Sequence, residues 1–185
     1  MSKKRIILFK SIICYCLLLL QTSCAPKKNL ERIIVASAGK IESLDPAQAN
    51  TLRALQLLSA LGDTLYIVDK EGDLKPHLAE GLPLISSDGL VLDIKLKKGI
   101  YFHDGTPFNA EAMAFSLRRF INIGTLNYLI NKKIERIETP KDYLIRIRLN
   151  KPSNSFLKLL TSVNLTPVSP TAYSNHKDEF LNKNF

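Results

Sequence analysis

The sequence predicts an α+β fold made of hairpins with flanking helices, and three observations carry that prediction. Leu90, Leu92, Ile94 and Leu96 alternate with Val91, Asp93 and Lys95, the period-two pattern of a strand buried on one face. Tyr143, Ile145, Ile147 and Leu149 repeat the pattern against Arg146 and Arg148. Between these two stretches, Ile100 to Arg119 reads as a short aromatic strand, a tight turn and an amphipathic helix. A chain of 185 residues that is 45% hydrophobic has the apolar content for one core of ordinary size.

The first residues stand outside that core. Lys3, Lys4, Arg5 and Lys10 precede the apolar run Ile12 to Leu20, which ends at Gln21-Thr22-Ser23-Cys24. A charged start, a short apolar middle and small residues before a cut make residues 1–23 a secretory signal peptide. The run falls short of the roughly 20 apolar residues a membrane span needs. Cys14 and Cys16 would leave with the leader, so Cys24 would have no disulfide partner. It stands where a bacterial lipoprotein is cut and acylated; Thr22 and Ser23 fit that pattern, and Gln21 replaces its usual Leu. Acyl chains on Cys24 would hold the protein at a membrane surface, with residues 24–31, including Ala25 to Asn29, as tether. The alternatives are an uncleaved anchor and a soluble exported protein with a free thiol at Cys24.

The formal charge of +9 loses four cations with the leader, which leaves 22 cations against 17 acids, or +5. Lys97-Lys98, Arg118-Arg119 and Lys132-Lys133 are separate pairs rather than a stripe. Nucleic-acid binding needs a concentrated basic face, so no nucleic-acid partner is expected.

Residues 32–185 form the expected domain. Arg32 to Ser37 is β-branched enough for a first strand, and a loop from Ala38 to Gln48 follows. Asn50 or Thr51 caps a helix whose Leu52, Leu55, Leu58 and Leu61 repeat until Gly62 stops it. Leu65 to Val68 is a strand closed by the turn Lys70 to Asp73, and Leu74 to Glu80, with Pro76 inside it, is expected to be irregular. Leu82 to Ser86 pairs with Leu90 to Leu96 around Ser87-Asp88-Gly89. In His103-Asp104-Gly105-Thr106-Pro107, Asp closes an Asx turn, Gly takes positive φ and Pro sets the exit. Asn109 caps the next helix, with Glu111 in its first turn and Met113, Leu117, Phe120 and Ile121 on one face. Ile134 to Glu138 and Tyr143 to Leu149 then flank a turn at Thr139 to Asp142. Pro152 and Ser153 open a last short helix carrying Phe156, Leu157, Leu159 and Leu160.

Signals of catalysis are sparse. His77, His103 and His176 are far apart in sequence, no Cys/His cluster has zinc spacing, and no Gly-rich phosphate loop precedes a helix. No catalytic residue, metal or cofactor is expected. Were the protein an enzyme, His103 with Asp104 would be the pair to test, although such residues in a turn are more often structural.

The stretch Ile100 to Arg119 resembles the hallmark of the bacterial extracellular solute-binding proteins of family 5, the dipeptide, oligopeptide and nickel receptors of ABC importers. Leu44-Asp45-Pro46, Leu61 to Tyr66, Pro76-His77-Leu78-Ala79-Glu80, Ser87-Asp88-Gly89 and Leu96-Lys97-Lys98-Gly99 are similar to further family elements in the family's order. Leu149 to Pro152, Phe156-Leu157 and Pro167 to Tyr173 continue the likeness, so it runs from about Leu44 to Tyr173.

The resemblance implies an incomplete first lobe of a periplasmic-binding-protein-like type II fold, with a mixed sheet. It implies a tethered receptor outside the cytoplasmic membrane that passes a peptide or other small solute to the importer's membrane subunits. Such receptors close two lobes on the ligand by hinge motion, and ATP is consumed by their partners. The family's loop after Leu-Asp-Pro faces ligand, a role that carries over to Asn50, Thr51 and Leu52. Capping by Asn50 or Thr51 and core packing by Leu52 are the structural alternatives. Family members run to several hundred residues, so the expectation for this chain alone is weak binding or none, with exposed strand edges. A remnant, half of a split receptor, and a small envelope lipoprotein with only an interaction role are the competing readings. Whether the ligand was a dipeptide, a longer peptide, nickel or a sugar stays open.

Overall fold

The structure is a computed structural model that describes residue 36 and residues 38–175. From Ala38 onward these belong to one compact unit, Ala38–Phe185. The leader, Cys24, the tether, most of the expected strand Arg32 to Ser37, and His176 lie outside the described residues.

The first helix among the described residues, α1 (Leu52–Leu61), starts at Thr51, whose Oγ1 accepts from the Ala54 N–H at 3.4 Å. It stops at Gly62, whose N–H donates to the Leu58 carbonyl at 3.0 Å. Its leucine stripe does not enter the main core: Leu52 and Leu61 are exposed and Leu58 is buried. A small cluster explains this, because Ala49, Ala54 and Leu58 pack with Ile41, Leu55 and Val163 and fill the available space with alanines.

Strands β1 (Tyr66–Val68) and β2 (Leu74–Pro76) form an antiparallel ribbon with Tyr66 opposite Pro76. Leu74 to Pro76 is therefore extended, not irregular. Proline is tolerated because β2 is an edge strand of a two-stranded ribbon, and the donor to β1 at this end is the neighbouring His77 N–H, which bonds the Leu65 carbonyl at 2.9 Å. Asp69 closes the intervening turn by accepting from the Glu71 and Asp73 N–H groups at 3.1 and 2.7 Å.

The main sheet runs β3-β4-β6-β5, with β3 (Leu84–Ile85), β4 (Val91–Lys95), β5 (Ile134–Lys141) and β6 (Leu144–Leu149). All pairings among the described strands are antiparallel, so the parallel component of the expected mixed sheet is not among them. The two alternations fall in phase across the centre, with Leu92 opposite Ile147 and Ile94 opposite Ile145. These four side chains are buried on one face. On the other face Asp93 receives Arg146 through two 2.7 Å bonds. The β5–β6 turn is tighter than predicted, since Lys141 pairs with Leu144. Pro140 fits inside β5 because the register shifts between Glu138 and Lys141, which frees that position from the ladder.

Helix α2 (Ala110–Ile123) covers the buried face. Asn109 Oδ1 accepts from the Ala112 N–H at 2.9 Å, and the Ala110 N–H donates to Asp142 at 2.7 Å, which fixes the helix start to the β5–β6 turn. Met113, Leu117 and Phe120 enter the core with Tyr66, Leu78, Ile137 and Phe156. The preceding segment is a bridge between Tyr101 and Pro107 rather than a strand. Its turn has the predicted chemistry: Asp104 Oδ1 accepts from the Thr106 N–H at 3.0 Å and Gly105 has φ +81°. Helix α3 (Phe156–Leu159) is four residues long and begins after Pro152 and Ser153. A 3-10 turn, Val163–Leu165, and helix α4 (Pro170–Asn175) complete the described chain.

Candidate functional site

Five of the residues ahead of α1, Asp45 to Ala49, form one turn. The Asp45 carbonyl accepts from the Gln48 and Ala49 N–H groups at 3.0 and 2.9 Å, and its Oδ1 accepts from the Ala47 N–H at 3.0 Å. The next four carbonyls all have outside partners. Asn164 Nδ2 donates to those of Pro46 and Ala49 at 2.8 and 2.7 Å. The Thr125 N–H donates to that of Ala47 at 3.0 Å, and Thr125 Oγ1 to that of Gln48 at 3.1 Å.

The side chain of Asp45 is held as firmly as the backbone around it. Both carboxylate oxygens receive Arg119, one from Nη1 at 2.6 Å and the other from Nη2. Acid and base are almost wholly buried, with side-chain exposures of 4% and 10%. The guanidinium also lies 4.1 Å from the Tyr173 ring centroid, a cation–π contact. Burial and the nearby Asp45 carboxylate push the Tyr173 phenol well above its ordinary range.

This turn delivers the chain to an open concavity of about 220 Å³ lined by Glu42, Ser43, Gln48 to Thr51, Ala54, Ile123 and Thr125. Asn50 and Thr51 stand in that wall. Leu52 does not line it and is 72% exposed, so it neither packs in the core nor joins the concavity. The lining is mostly amide, hydroxyl and carboxylate, the groups that exchange hydrogen bonds with a polar solute. Ordinary small-molecule pockets enclose ~300–1,000 Å³, so this concavity is smaller than such a pocket as well as open.

Sequence reasoning named Asn50, Thr51 and Leu52 as candidates and did not name Arg119, Thr125 or Asn164. Arg119 and Asn164 are separated from their partners by 74 and at least 115 positions, and neither belongs to a recognisable spacing. No local pattern marks Arg119, whose helix face also carries Ser116 and Asn122.

His103 and Asp104 are not assembled as an acid–base pair. Asp104 Oδ2 accepts from Ser169 Oγ at 2.5 Å and its Oδ1 from Thr106 Oγ1 at 2.6 Å, so it fastens the turn to the start of α4. The Ser169 and Thr106 hydroxyls hold the Asp104 carboxyl below the usual carboxylate range. His77 lies 3.6 Å from Asp63, remote in sequence from His103. Among the described residues no group of three His, Cys, Asp or Glu side chains could hold a metal ion, and no helix is long and apolar enough to cross a membrane.

A fold of this kind recurs in solved structures. The pheromone receptor PrgZ, determined for its mode of peptide binding, superposes with a TM-score of 0.71 at 22% identity, over 77% of this chain and 32% of its own. DppA from Helicobacter pylori, an ABC-transporter-associated periplasmic binding protein in complex with the peptide STSA, gives 0.68 at 27% identity over 77% and 32%. The class is thus a type II periplasmic binding protein, of which this chain matches part of a lobe.

The family model for bacterial extracellular solute-binding proteins, family 5 Middle, matches residues 73–185, and the chain belongs to that family. The glutathione-binding protein GsiB of Escherichia coli O6:K15:H31 is 32% identical over 163 residues, 86% of this chain. The chain spans about a third of the length of such relatives, 31% in this case.

Proposed function

We propose that this chain supplies part of the substrate-binding component of an ABC importer for peptides or related small solutes. The observation that carries this reading is the rigid turn at Asp45 to Ala49, which presents Asn50 and Thr51 in a polar concavity within a family 5 fold. Amide and hydroxyl groups held in place replace a solute's water without much further ordering, which lowers the cost of binding. Glutathione, the ligand in the name of the relative GsiB, and a short peptide such as the one bound in the Helicobacter pylori DppA structure define the substrate class to test. The role involves no catalysis, metal or cofactor. Its partners are the solute and the importer's membrane subunits.

Acylated Cys24 holds the protein at a membrane of the cell envelope, with residues 24–31 as tether. Labelling cells with a radioactive fatty acid is expected to mark the chain, and Cys24→Ser to abolish the mark. Label that survives Cys24→Ser overturns the anchor.

One open wall buries less of a ligand than a closed cleft, so the chain alone should bind with Kd near about 1 mM, corresponding to about −4 kcal/mol. Titrating the purified mature chain with glutathione and with a tetrapeptide, followed by NMR, is expected to shift signals of Glu42 to Ala54 and Ile123 to Thr125. Shifts confined to another surface, or none at 10 mM ligand, a level of about ten times that Kd, defeat the reading.

A further inference from the structure

Asn164 lies on the 3-10 turn Val163–Leu165, does not itself line the concavity, and is 5% exposed. A carboxamide has two N–H donors, and this one bonds the Pro46 and Ala49 carbonyls at 2.8 and 2.7 Å. The two carbonyls are three residues apart and bracket the turn, so their separation is set by one rigid planar group. Thr125 holds the two carbonyls between them. Thr125 is itself in the wall of the concavity, whereas Asn164 reaches the turn from behind. Unmade, these buried bonds would leave polar atoms without partners, so the turn has a strong preference for the bonded arrangement.

We infer that Asn164 is a positioning residue for the ligand-facing segment: its carboxamide fixes the end of the turn and thereby where Asn50 and Thr51 stand in the wall. The inference rests on the proposed binding role for its use, but the position of the segment can be measured without ligand. Isosteric Asn164→Asp replaces the two-proton donor with a carboxylate facing two carbonyl oxygens. Asn164→Ser retains one hydroxyl donor and guards against misfolding of the first variant.

Amide hydrogen exchange is read on the ligand-free chain carrying either variant. Exchange at Gln48, Ala49 and Ala54 is expected to accelerate at least tenfold, while Ile145 and Ile147 in the sheet keep their protection. In Asn164→Asp, protection of the turn should partly return as the carboxyl protonates at low pH and regains one donor; Asn164→Ser should lack that pH dependence. Uniform acceleration in turn and sheet, or none in the turn, overturns the inference, since Asn164 would then be a general prop or dispensable. A glutathione titration forms a separate arm. A wild-type chain that fails to bind counts against the binding role, while the exchange result still decides what Asn164 does.

Discussion

The pair Asp45–Arg119 is the residue on which the site's framework turns most directly. Removing one partner from a buried pair leaves an uncompensated charge, at a cost of roughly 3–5 kcal/mol. Arg119→Ala should therefore lower unfolding free energy in urea by about that amount. Adding Asp45→Asn should restore a good part of it, because the orphaned charge is gone. A loss in the double variant equal to the sum of the two single losses would show that the pair is not coupled. Asp104 makes a prediction about pH. Its folded pKa lies below the ordinary carboxylate value, so its contribution is present above pH ~4 and is lost as pH falls through the depressed value. Acid unfolding of Asp104→Asn should accordingly have a shallower limb below pH ~4 than the wild type. Legibility at this scale followed sequence distance. Asp104 with Thr106 and Asn109 with Ala112 were readable because each bond spans two or three residues. Asp45 with Arg119 and Asn164 with Pro46 were not, since only the fold brings them together.

Among the elements, the strands were the most legible, because an alternating pattern names both its period and its buried face. The centre of the sheet follows this rule: Leu92 and Ile94 lie inward with Ile145 and Ile147. Prolines misled for a physical reason. Pro76 and Pro140 read as interruptions, yet one lies on an edge strand and the other occupies a register shift, settings in which a missing N–H is harmless. Helix α1 misled in the opposite sense, since its leucine spacing was regular but Leu52 and Leu61 face outward and only Leu55 and Leu58 of the stripe are packed. The connection after α2 is a place where an added methyl should matter. A Cβ on Gly124 would stand 2.4 Å from the Phe120 carbonyl oxygen and 2.8 Å from its ring, and backbone cannot retreat cheaply. Gly124→Ala is expected to cost about 1–3 kcal/mol, in the range of overpacked cores, measured by urea unfolding. Gly124 neighbours Thr125, so the strain would also loosen the carbonyls that Thr125 holds.

Over the described unit, packing is divided unequally. One large apolar cluster joins the ribbon, the four-stranded sheet, α2 and α3, through Tyr66, Leu78, Ile94, Met113, Ile147 and Phe156. Residues sharing a core lose their packing together, so the ribbon and sheet should unfold in one transition although they share no strand. Met113 is fully buried at the centre of that cluster, and Met113→Ala should destabilise it by about 2–5 kcal/mol. Helix α1 rests on a different and much smaller set, Ala49, Ala54 and Leu58, whose side chains have little apolar area to bury. The wall that carries Asn50 and Thr51 is therefore fastened by polar bonds from Arg119, Thr125 and Asn164 more than by hydrophobic packing. Such a region belongs to the low-stability end of a native structure, the end from which ligand-binding segments are drawn. Hydrogen exchange should find Leu55 and Leu58 in α1 opening before Ile145 and Ile147 in β6, and Met113→Ala should bring the two sets closer together by lowering only the global limit. If α1 and β6 exchange at the same rate in the wild-type chain, the two clusters act as a single cooperative core and the wall is as rigid as the sheet behind it.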